Sequence, residues 1–452
     1  MSGRMEVLVI GAGIAGLGAA YALQLAGLDV IVFEAEAAVG GRMSSVQWAG
    51  KWIDRGAEFI AEKPVFDPLL RSLGLLETIQ PFPGGSVAFD VWRDGEIYPL
   101  EYTNPASLMR FGAISTRSKL QGLKLLPALA RQAWASRGHL FEPWRAAWFD
   151  NEQTTGTWLG RLAPELLEYA VEPTYELYCA YAPEDLSRAM FAHLTTSYVN
   201  SQLYTFPEGL GYLTRTVAGR LHVLTSTRAL SVDAGSGKVV YLQEGDERRL
   251  WADYILVAVP GARVSSLVRG LDAARTHFFS QVMYTPAQLP YYDLAADPHI
   301  PSVFFPRRED DRLAALGYDR LSTDPVERVL RINLKSRHIW AMLDASDQEV
   351  LDEALFLAAQ YYPQLTDLVT DAYLARWREG LPLFGPGYLR ALKAFVKLPA
   401  HPRLAFAGDY LAQPSTGAAY ASGLRAARQT LGQLAPDRLP YLEPFFDWSG
   451  RV

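Results

Sequence analysis

The chain opens with an apolar run that ends in closely spaced glycines. Residues 6–10 are mostly apolar, which is typical of a strand buried on both faces of a parallel sheet. A glycine-rich turn follows directly, and apolar residues then recur at helical spacing up to about residue 26. A second apolar run, 28–33, ends at Glu34. The pattern therefore predicts a strand, a turn, a helix and a second strand.

This turn has the residue types that bind a dinucleotide. Gly11 permits a tight turn, Gly13 lets a pyrophosphate approach the backbone, and Gly16 lets helix and strand pack closely. The helix N-terminus offers free N–H groups to anionic oxygens. Glu34 is placed to bond ribose hydroxyls and disfavours a 2′-phosphate. The alternative is a glycine turn that only joins a strand to a helix, but the complete pattern favours NAD or FAD binding.

Two further segments bear on the choice between these cofactors. Gly40-Gly41-Arg42 adds flexible backbone and a fixed cation near the phosphates. Near the other end, residues 403–407 predict a strand that ends at Gly408-Asp409, and residues 416–434 predict a helix. Its N-terminus can stabilise the anion that a reduced flavin carries at N1 and O2. Together these segments favour a flavin where the two chain ends meet.

Between the ends, helical spacing dominates first and mixed patterns follow. Residues 66–204 predict a mainly helical insertion. Strands are predicted at 223–232, 238–242 and 251–259. The region 262–400 alternates strand-like and helical pieces, with strands at 329–334 and 339–343 and a helix at 347–361.

Composition excludes several classes of protein. The 452 residues are 49% hydrophobic and 20% charged, as in soluble globular chains. The formal net charge of −6 argues against a nucleic-acid-binding role. The single cysteine, Cys179, cannot form an internal disulfide, and scattered histidines give no metal motif, so no metal is expected. We find no signal peptide or spanning segment and expect a cytoplasmic protein.

Residues 108–140 place lysines and arginines between leucines and a tryptophan. A basic amphipathic helix of this kind can lie on an anionic membrane and pass an apolar substrate into a tunnel. The alternative is a helix with its apolar face in the core and its basic face in solvent. We also expect Pro127 to break or kink the helix.

Several stretches together resemble one protein family. They are Val7 to Glu34, Gly40-Gly41-Arg42, Asp54 to Glu58, Glu172-Pro173 through Asp185-Leu186-Ser187, Glu208 to Gly211, Trp377 through Pro382 to Tyr388, and Phe406 to Tyr410 through Gly423-Leu424-Arg425. They run from one end of the chain to the other. The chain resembles the flavin amine oxidase superfamily, and within it is most similar to protoporphyrinogen oxidases.

The resemblance implies an α/β fold in which a Rossmann-like FAD-binding domain joins a mixed-sheet substrate domain and a helical insertion. The FAD-binding domain would comprise 1–65, 205–265 and 400–440, the substrate domain 66–110 and 266–399, and the insertion 111–204. FAD would be bound without a covalent link, because Cys179 lies far from the segment where some relatives attach it. The motifs imply these cofactor-binding residues: Gly11, Ala12, Gly13, Ile14, Ala15, Gly16, Glu34, Ala35, Gly40, Gly41, Arg42, Gly56, Ala57, Glu58, Ala229, Gly408, Asp409, Thr416, Gly417, Ala418 and Ala419.

The same resemblance suggests what reacts beside the flavin. We predict that Gln281, Trp377, Phe384 and Tyr388 line the substrate cavity. By the resemblance, residues 279–284 would form the strand on which amine oxidases place a lysine, and Gln281 would occupy that position. The second aromatic side chain of their amine box would fall near Ser415. We therefore expect an FAD-dependent oxidoreductase that removes hydrogens from a largely apolar small molecule. The alternatives are a carotenoid desaturase-like enzyme, a redox-neutral isomerase or mutase, a flavin-bound protein without turnover and, less favoured, an amine oxidase.

Overall fold

The computed structural model describes residues 4–82, 88–101, 104–137, 139–198, 201–318 and 329–450. Within these ranges the strands are β1 Arg4–Ile10, β2 Val30–Phe33, β3 Ser45–Trp48, β4 Lys51–Asp54, β5 Gln80–Pro81, β6 Ala88–Arg93, β7 Glu96–Glu101, β8 Tyr204–Thr205, β9 His222–Leu224, β10 Thr227–Asp233, β11 Lys238–Gln243, β12 Asp246–Val257, β13 Val268–Arg269, β14 Tyr284–Leu294, β15 Val303–Phe304, β16 Leu313–Tyr318, β17 Leu330–Leu334, β18 Val369–Pro382 and β19 Leu404–Phe406.

The α-helices of the described residues alternate with these strands at both ends of the chain. They are α1 Ile14–Leu25, α2 Lys63–Leu73, α3 Pro105–Arg110, α4 Thr116–Gly122, α5 Leu126–Ser136, α6 Thr155–Leu162, α7 Pro164–Leu166, α8 Glu172–Cys179, α9 Arg188–Tyr198, α10 Gly211–Ala218, α11 Gly261–Leu267, α12 Ala273–Phe279, α13 Ser336–Ala341, α14 Asp347–Ala359, α15 Leu365–Leu368, α16 Tyr388–Phe395 and α17 Thr416–Leu434.

The first sheet brings the two ends of the chain together. Its strand order is β13-β10-β11-β12-β1-β2-β9, and β19 pairs with β12. The pairs β1–β2, β1–β12 and β12–β19 are parallel, and their registers place Ile10 opposite Phe33 and Val257, and Val257 opposite Phe406. Parallel strands end at the same edge of a sheet, so Gly11, Glu34 and Gly408 leave the sheet side by side. This edge is where nucleotide cofactors bind in such sheets.

Helices α1 and α17 pack on this sheet with very close backbones. A Cβ atom added at Gly423 would lie 2.1 Å from the carbonyl oxygen of Ala15, and one added at Gly18 would lie 2.4 Å from the ring of Tyr420. The ring of Tyr420 stacks on Phe66 of α2, with centroids 4.9 Å apart. Helix α2 therefore packs with the first sheet, although the sequence assigned residues 66–110 to the other domain. The wider division into domains stays a prediction.

The second sheet has the strand order β18-β14-β17-β16-β15-β6-β7. Strands β14 and β18 pair along most of their length, from Tyr284 opposite Pro382 to Leu294 opposite Val369. An apolar cluster that includes Leu316, Ile332 and Leu357 packs α14 against one face. Several side chains on the other face line a cavity described below.

The structure confirms most predicted elements and corrects three. Helix α17 has the predicted bounds, whereas 279–284 is not a strand, because α12 continues to Phe279 and β14 begins only at Tyr284. Residues 339–343 were also expected to form a strand, but α13 runs through Ala341. The stretch 66–204, expected to be mainly helical, contains the hairpin β6–β7. Short apolar runs suit a strand or a buried helix equally well, so tertiary packing decides between them.

Candidate active site

A single cavity of about 1650 Å³ joins segments from the whole chain. Ligand pockets usually measure about 300–1,000 Å³, so this one has room for a cofactor and a second molecule. Predicted cofactor residues that line it are Gly11, Gly13, Ile14, Ala15, Glu34, Ala35, Gly40, Gly41, Arg42, Gly56, Ala57, Glu58, Ala229, Gly408, Asp409, Thr416 and Ala419. The tertiary structure therefore gathers the head, the middle and the tail motifs at one place.

The glycine turn is shaped by backbone geometry that other residues rarely adopt. Gly11 has a φ of +107°, and a Cβ atom there would lie 2.6 Å from the carbonyl oxygen of Ala258. At Gly13 a Cβ would meet no atom within 4 Å, so this glycine borders open cavity. The carboxylate of Glu34 accepts hydrogen bonds from the N–H of Ala12 at 2.8 Å and the N–H of Glu36 at 2.9 Å. The acid at the end of β2 thus faces the turn.

Four predicted cofactor residues support the cavity wall from behind. Ala12, Gly16, Gly417 and Ala418 are absent from its lining. A Cβ atom at Gly16 would lie 2.0 Å from the carbonyl oxygen of Gly11, so Gly16 allows the turn to close on α1. The N–H of Ala418 donates to Ser415 Oγ at 3.1 Å, which caps α17. These residues shape the binding surface through the backbone.

An ion pair links the head motif to the tail motif. Arg42 donates to both carboxylate oxygens of Asp409, at 2.7 and 3.1 Å, and to the carbonyl oxygen of Gly380 at 2.8 Å. Burial lowers the pKa of Arg42, but the charge and hydrogen bonds of Asp409 together with the nearby Tyr284 and Tyr181 outweigh it, and the net shift is upward. Arg42 is therefore charged and holds β18 and the tail loop against the glycine turn.

Only one of the four predicted substrate-lining residues borders the cavity. Trp377 of β18 lines it and donates its Nε1–H to the carbonyl oxygen of Arg55 at 2.5 Å. Gln281 lies in a turn outside the cavity, where its Nε2 donates to His277 O at 3.0 Å. Phe384 is fully buried in the apolar core, and Tyr388 donates its hydroxyl to Tyr410 O at 3.0 Å. These three residues lie outside the cavity lining, because residues 279–284 do not form the expected strand and the Phe384–Tyr388 pair packs inward.

Polar groups of the second sheet border the cavity beside Trp377. Arg331 and Asn333 lie on the same face of β17, and Arg331 forms an ion pair with Glu58. Burial lowers the pKa of Arg331 to about 10. The amide Nδ2 of Asn333 is buried and has no hydrogen-bond partner among the described residues. The cavity thus has one charged and amide-lined wall next to the cofactor segments.

Another part of the cavity wall is mainly apolar. Helices α4, α5, α8 and α9, with nearby loops, contribute mainly aliphatic and aromatic side chains to the lining. The apolar set is Leu100, Leu108, Ile114, Leu123, Leu125, Leu126, Leu129, Leu166, Ala170, Val171, Leu177, Phe191 and Leu194. An apolar molecule can be bound there and screened from water.

The buried Cys179 also lines the cavity. Burial raises the pKa of its thiol to about 12, so the thiol stays protonated near neutral pH. A protonated, buried thiol is a poor nucleophile.

With this geometry in hand, comparison with known proteins identifies the family. The family model for flavin containing amine oxidoreductases matches residues 14–431. The chain belongs to this family. It is therefore a flavin-dependent oxidoreductase with FAD as its cofactor, which confirms the predicted fold, family and cofactor.

Individual relatives match only part of this chain, at modest sequence identity. The chain is 35% identical over 189 residues to the mitochondrial protoporphyrinogen oxidase of Nicotiana tabacum, which covers 41% of this chain and 35% of that protein. It is 37% identical over 93 residues to the hydroxyneurosporene desaturase of Rubrivivax gelatinosus, covering 20% and 18%. The match to the tobacco enzyme thus spans about a third of that relative's length.

Solved structures share the overall fold. A triple mutant of putrescine oxidase superposes with a TM-score of 0.76 at 19% identity, covering 95% of this chain and 99% of that one. The sequence identity is low, so this likeness concerns the fold alone.

The residues present fit an FAD molecule. The open space at Gly13 and the N–H groups at the start of α1 suit a pyrophosphate, and Glu34 suits a ribose. The start of α17 can oppose negative charge on the isoalloxazine ring. A flavin held by these residues would supply a ring that can accept a hydride. The chain's own residues would hold the cofactor through these groups, and Trp377, β17 and the helices border the remaining space of the cavity.

Sequence reasoning missed residues whose partners are distant in sequence. Arg331 and Asn333 alternate along a strand, which gives no sign that they face a cavity. Glu62 lines the cavity and contacts groups from residues 198 and 413. No motif contains these residues, and only the folded arrangement assigns them to the site.

Proposed function

We propose that the protein removes hydrogens from a largely apolar small molecule and transfers a hydride to N5 of non-covalently bound FAD, as a protoporphyrinogen oxidase-like enzyme. The apolar lining of the large cavity is the observation that supports this most. The low nucleophilicity of the Cys179 thiol supports the absence of a covalent flavin link.

Two features argue against an amine substrate. Strand β14, which replaces the strand expected at 279–284, contains no lysine. Ser415 caps α17 at the position where the family resemblance places an aromatic side chain.

Anaerobic reduction of the flavin tests the proposal. Purified holoprotein is mixed under nitrogen with a porphyrinogen, an acyclic polyene, spermine or benzylamine, and the oxidised flavin absorbance is followed. We expect the porphyrinogen or the polyene to bleach the flavin, and air then to regenerate it with peroxide in the case of an oxidase. Bleaching by spermine or benzylamine, with no response to either apolar compound, would refute the proposal.

Two matched tryptophan variants show whether the reacting molecule uses the apolar cavity. Leu129 lines the cavity, whereas Leu120 lies on a neighbouring helix and is 59% exposed. Leu129→Trp should slow bleaching by at least about tenfold, because the indole occupies part of the apolar space that the substrate would need. Leu120→Trp should leave the rate unchanged, and photoreduction should be equal in both variants.

A redox-neutral isomerase or mutase remains the second candidate. The polar wall of Arg331, Glu58 and Asn333 favours it, because such a wall can hold a polar substrate beside the cofactor. Product formed only after chemical pre-reduction of the flavin would select this function. Silence across the whole substrate panel would favour a flavin-bound protein without turnover.

We also propose that helices α3–α5 contact an anionic membrane surface. Exposed apolar side chains cluster there, with Met109 53%, Leu126 54% and Trp134 78% exposed. Basic residues lie among them, including Lys119 and Lys124. Pro127 is the second residue of α5, so it starts a helix in this cluster. The cavity reaches the same helices, which would let an apolar substrate enter from lipid.

Vesicle flotation tests this contact. We expect binding to vesicles containing phosphatidylglycerol but not to pure phosphatidylcholine, with a decrease at high salt. Leu126→Glu should abolish binding, while Leu25→Glu, at a 46% exposed leucine of α1, should not. Equal behaviour of the two variants would contradict the proposal. In the described residues no helix is both long enough and apolar enough to cross a bilayer.

A further inference from the structure

Glu62 is a buried acid at the junction of the cofactor segments. It precedes α2, is 5% exposed and lines the cavity. It lies against the first turn of α17, where a Cβ atom added at Gly417 would be 2.9 Å from Glu62 Oε2. This carboxyl therefore stands at the helix end that faces the flavin site.

Its two oxygens have different surroundings. Oε1 accepts hydrogen bonds from the hydroxyl of Tyr198 at 3.0 Å and from Nε2 of Gln413 at 3.4 Å. The side-chain oxygen of Gln413, Oε1, is hydrogen-bonded to Nε2 of His193 at 2.7 Å. The side-chain nitrogen of Gln413 therefore faces Glu62. Oε2 is buried and has no hydrogen-bond partner among the described residues. A proton on this carboxyl would therefore reside on Oε2.

No cation in the described part of the chain compensates a charge on Glu62. The neighbouring Lys63 pairs with Asp67 at 2.8 Å. The titratable groups that face this cluster are uncharged near neutral pH: burial raises the pKa of Tyr198 and of Cys179 and lowers that of His193 to about 4. Burial likewise raises the pKa of Glu62, although the nearby hydroxyl of Ser415 and the hydrogen bond from Tyr198 act to lower it.

The N-terminus of α17 acts in the opposite direction, because its positive end favours a carboxylate. A bound flavin changes the balance between the ionised and the protonated form of Glu62. When negative charge develops on the pyrimidine edge of the ring at this helix end, an ionised Glu62 would repel it, whereas a carboxylic acid could donate a hydrogen bond to it.

We infer that in the holoprotein Glu62 is a neutral carboxylic acid whose Oε2–H donates to the pyrimidine edge of the flavin, and so stabilises the reduced form. This inference depends on FAD binding and not on the proposed substrate. Its tests use no substrate, so they can fail independently of the proposed function.

The midpoint potential of the flavin, measured against a reference dye, is the first test. Glu62→Leu removes the donor and should weaken binding of reduced relative to oxidised flavin about tenfold, which is about 30 mV more negative. Glu62→Gln retains an N–H donor and should restore the potential most of the way. If both variants instead raise the potential, Glu62 is ionised and the inference is wrong. If neither changes it, Glu62 does not contact the flavin and the inference is also wrong.

Infrared difference spectroscopy of the oxidised holoprotein is the second test, and it needs only the isosteric variant. The wild type minus Glu62→Gln spectrum at neutral pH should show a carboxylic acid C=O band that shifts in deuterated water. Carboxylate bands in its place would overturn the inference. Glu247→Gln, on the exposed part of β12, serves as the control and should show carboxylate bands only.

Discussion

The two sides of the cavity differ in how close together in the sequence their residues lie. On the side of the first sheet, the glycine turn and Glu34 lie within one short stretch, and their roles follow from backbone conformation. On the side of the second sheet and the helices, the walls come from single side chains of β17, β18, α3–α5 and α7–α9. The first side therefore specifies a cofactor common to a family, while the second allows substrates to vary on the same frame.

Substitutions in the glycine turn should have the largest effects and so test this contrast most strongly. Gly11→Ala forces a side chain into a left-handed conformation and against Ala258 O, and should cost about 4 kcal/mol of unfolding free energy. Gly13→Ala has open space and should leave the apoprotein stability within about 0.5 kcal/mol, yet weaken FAD binding by about tenfold or more. Denaturant unfolding and FAD titration of apoprotein measure the two effects. Unchanged FAD affinity in Gly13→Ala would show that the pyrophosphate binds elsewhere.

The Arg42–Asp409 pair tests whether charge holds the two sides together. Asp409→Ala leaves a largely buried guanidinium without its partner and should lower the unfolding free energy by about 3 kcal/mol. Arg263→Ala breaks the more exposed pair with Glu379 and should cost less than about 1 kcal/mol. Equal losses in chemical unfolding would mean that the Arg42–Asp409 pair has no special structural role.

The unfolding free energy should depend on pH through His193, which lies on the helical side of the cavity. His193 is fully buried with a pKa lowered to about 4, while an unfolded histidine titrates near 6.5. Between these values the unfolded chain binds the extra proton, so stability is intact above 6.5 and falls as pH decreases towards 4. From pH 7.5 to pH 5 we expect a loss of about 2 kcal/mol from this group. His193→Gln should lack that part of the slope in unfolding experiments, and parallel curves would contradict the assignment.

The smallest effects concern the residues predicted to line the substrate cavity. Trp377→Phe should change KM for the reacting substrate a few-fold, because Trp377 borders the cavity. Gln281→Ala should leave kcat and KM within about twofold, because Gln281 lies in a turn outside it. A larger effect at Gln281 than at Trp377 would restore the sequence-based prediction for this side.

Sequence reasoning succeeded where a function depends on backbone shape. The helix 416–434 and the clustering of Gly11, Glu34 and Gly408 at one sheet edge were predicted, because local periodicity and parallel pairing determine them. It failed at 279–284, where an apolar run continues a helix, and that error misplaced Gln281.

The sequence by itself determined the fold class, the family and the cofactor, because glycines and strand-end acids constrain the backbone within a few residues. Only the tertiary structure decided that Trp377, Arg331 and Glu62 border the cavity while Phe384 and Tyr388 pack inward. The physical reason is that the environment of a side chain depends on partners that can lie hundreds of positions away. The local pattern of apolar and polar residues does not reveal those partners.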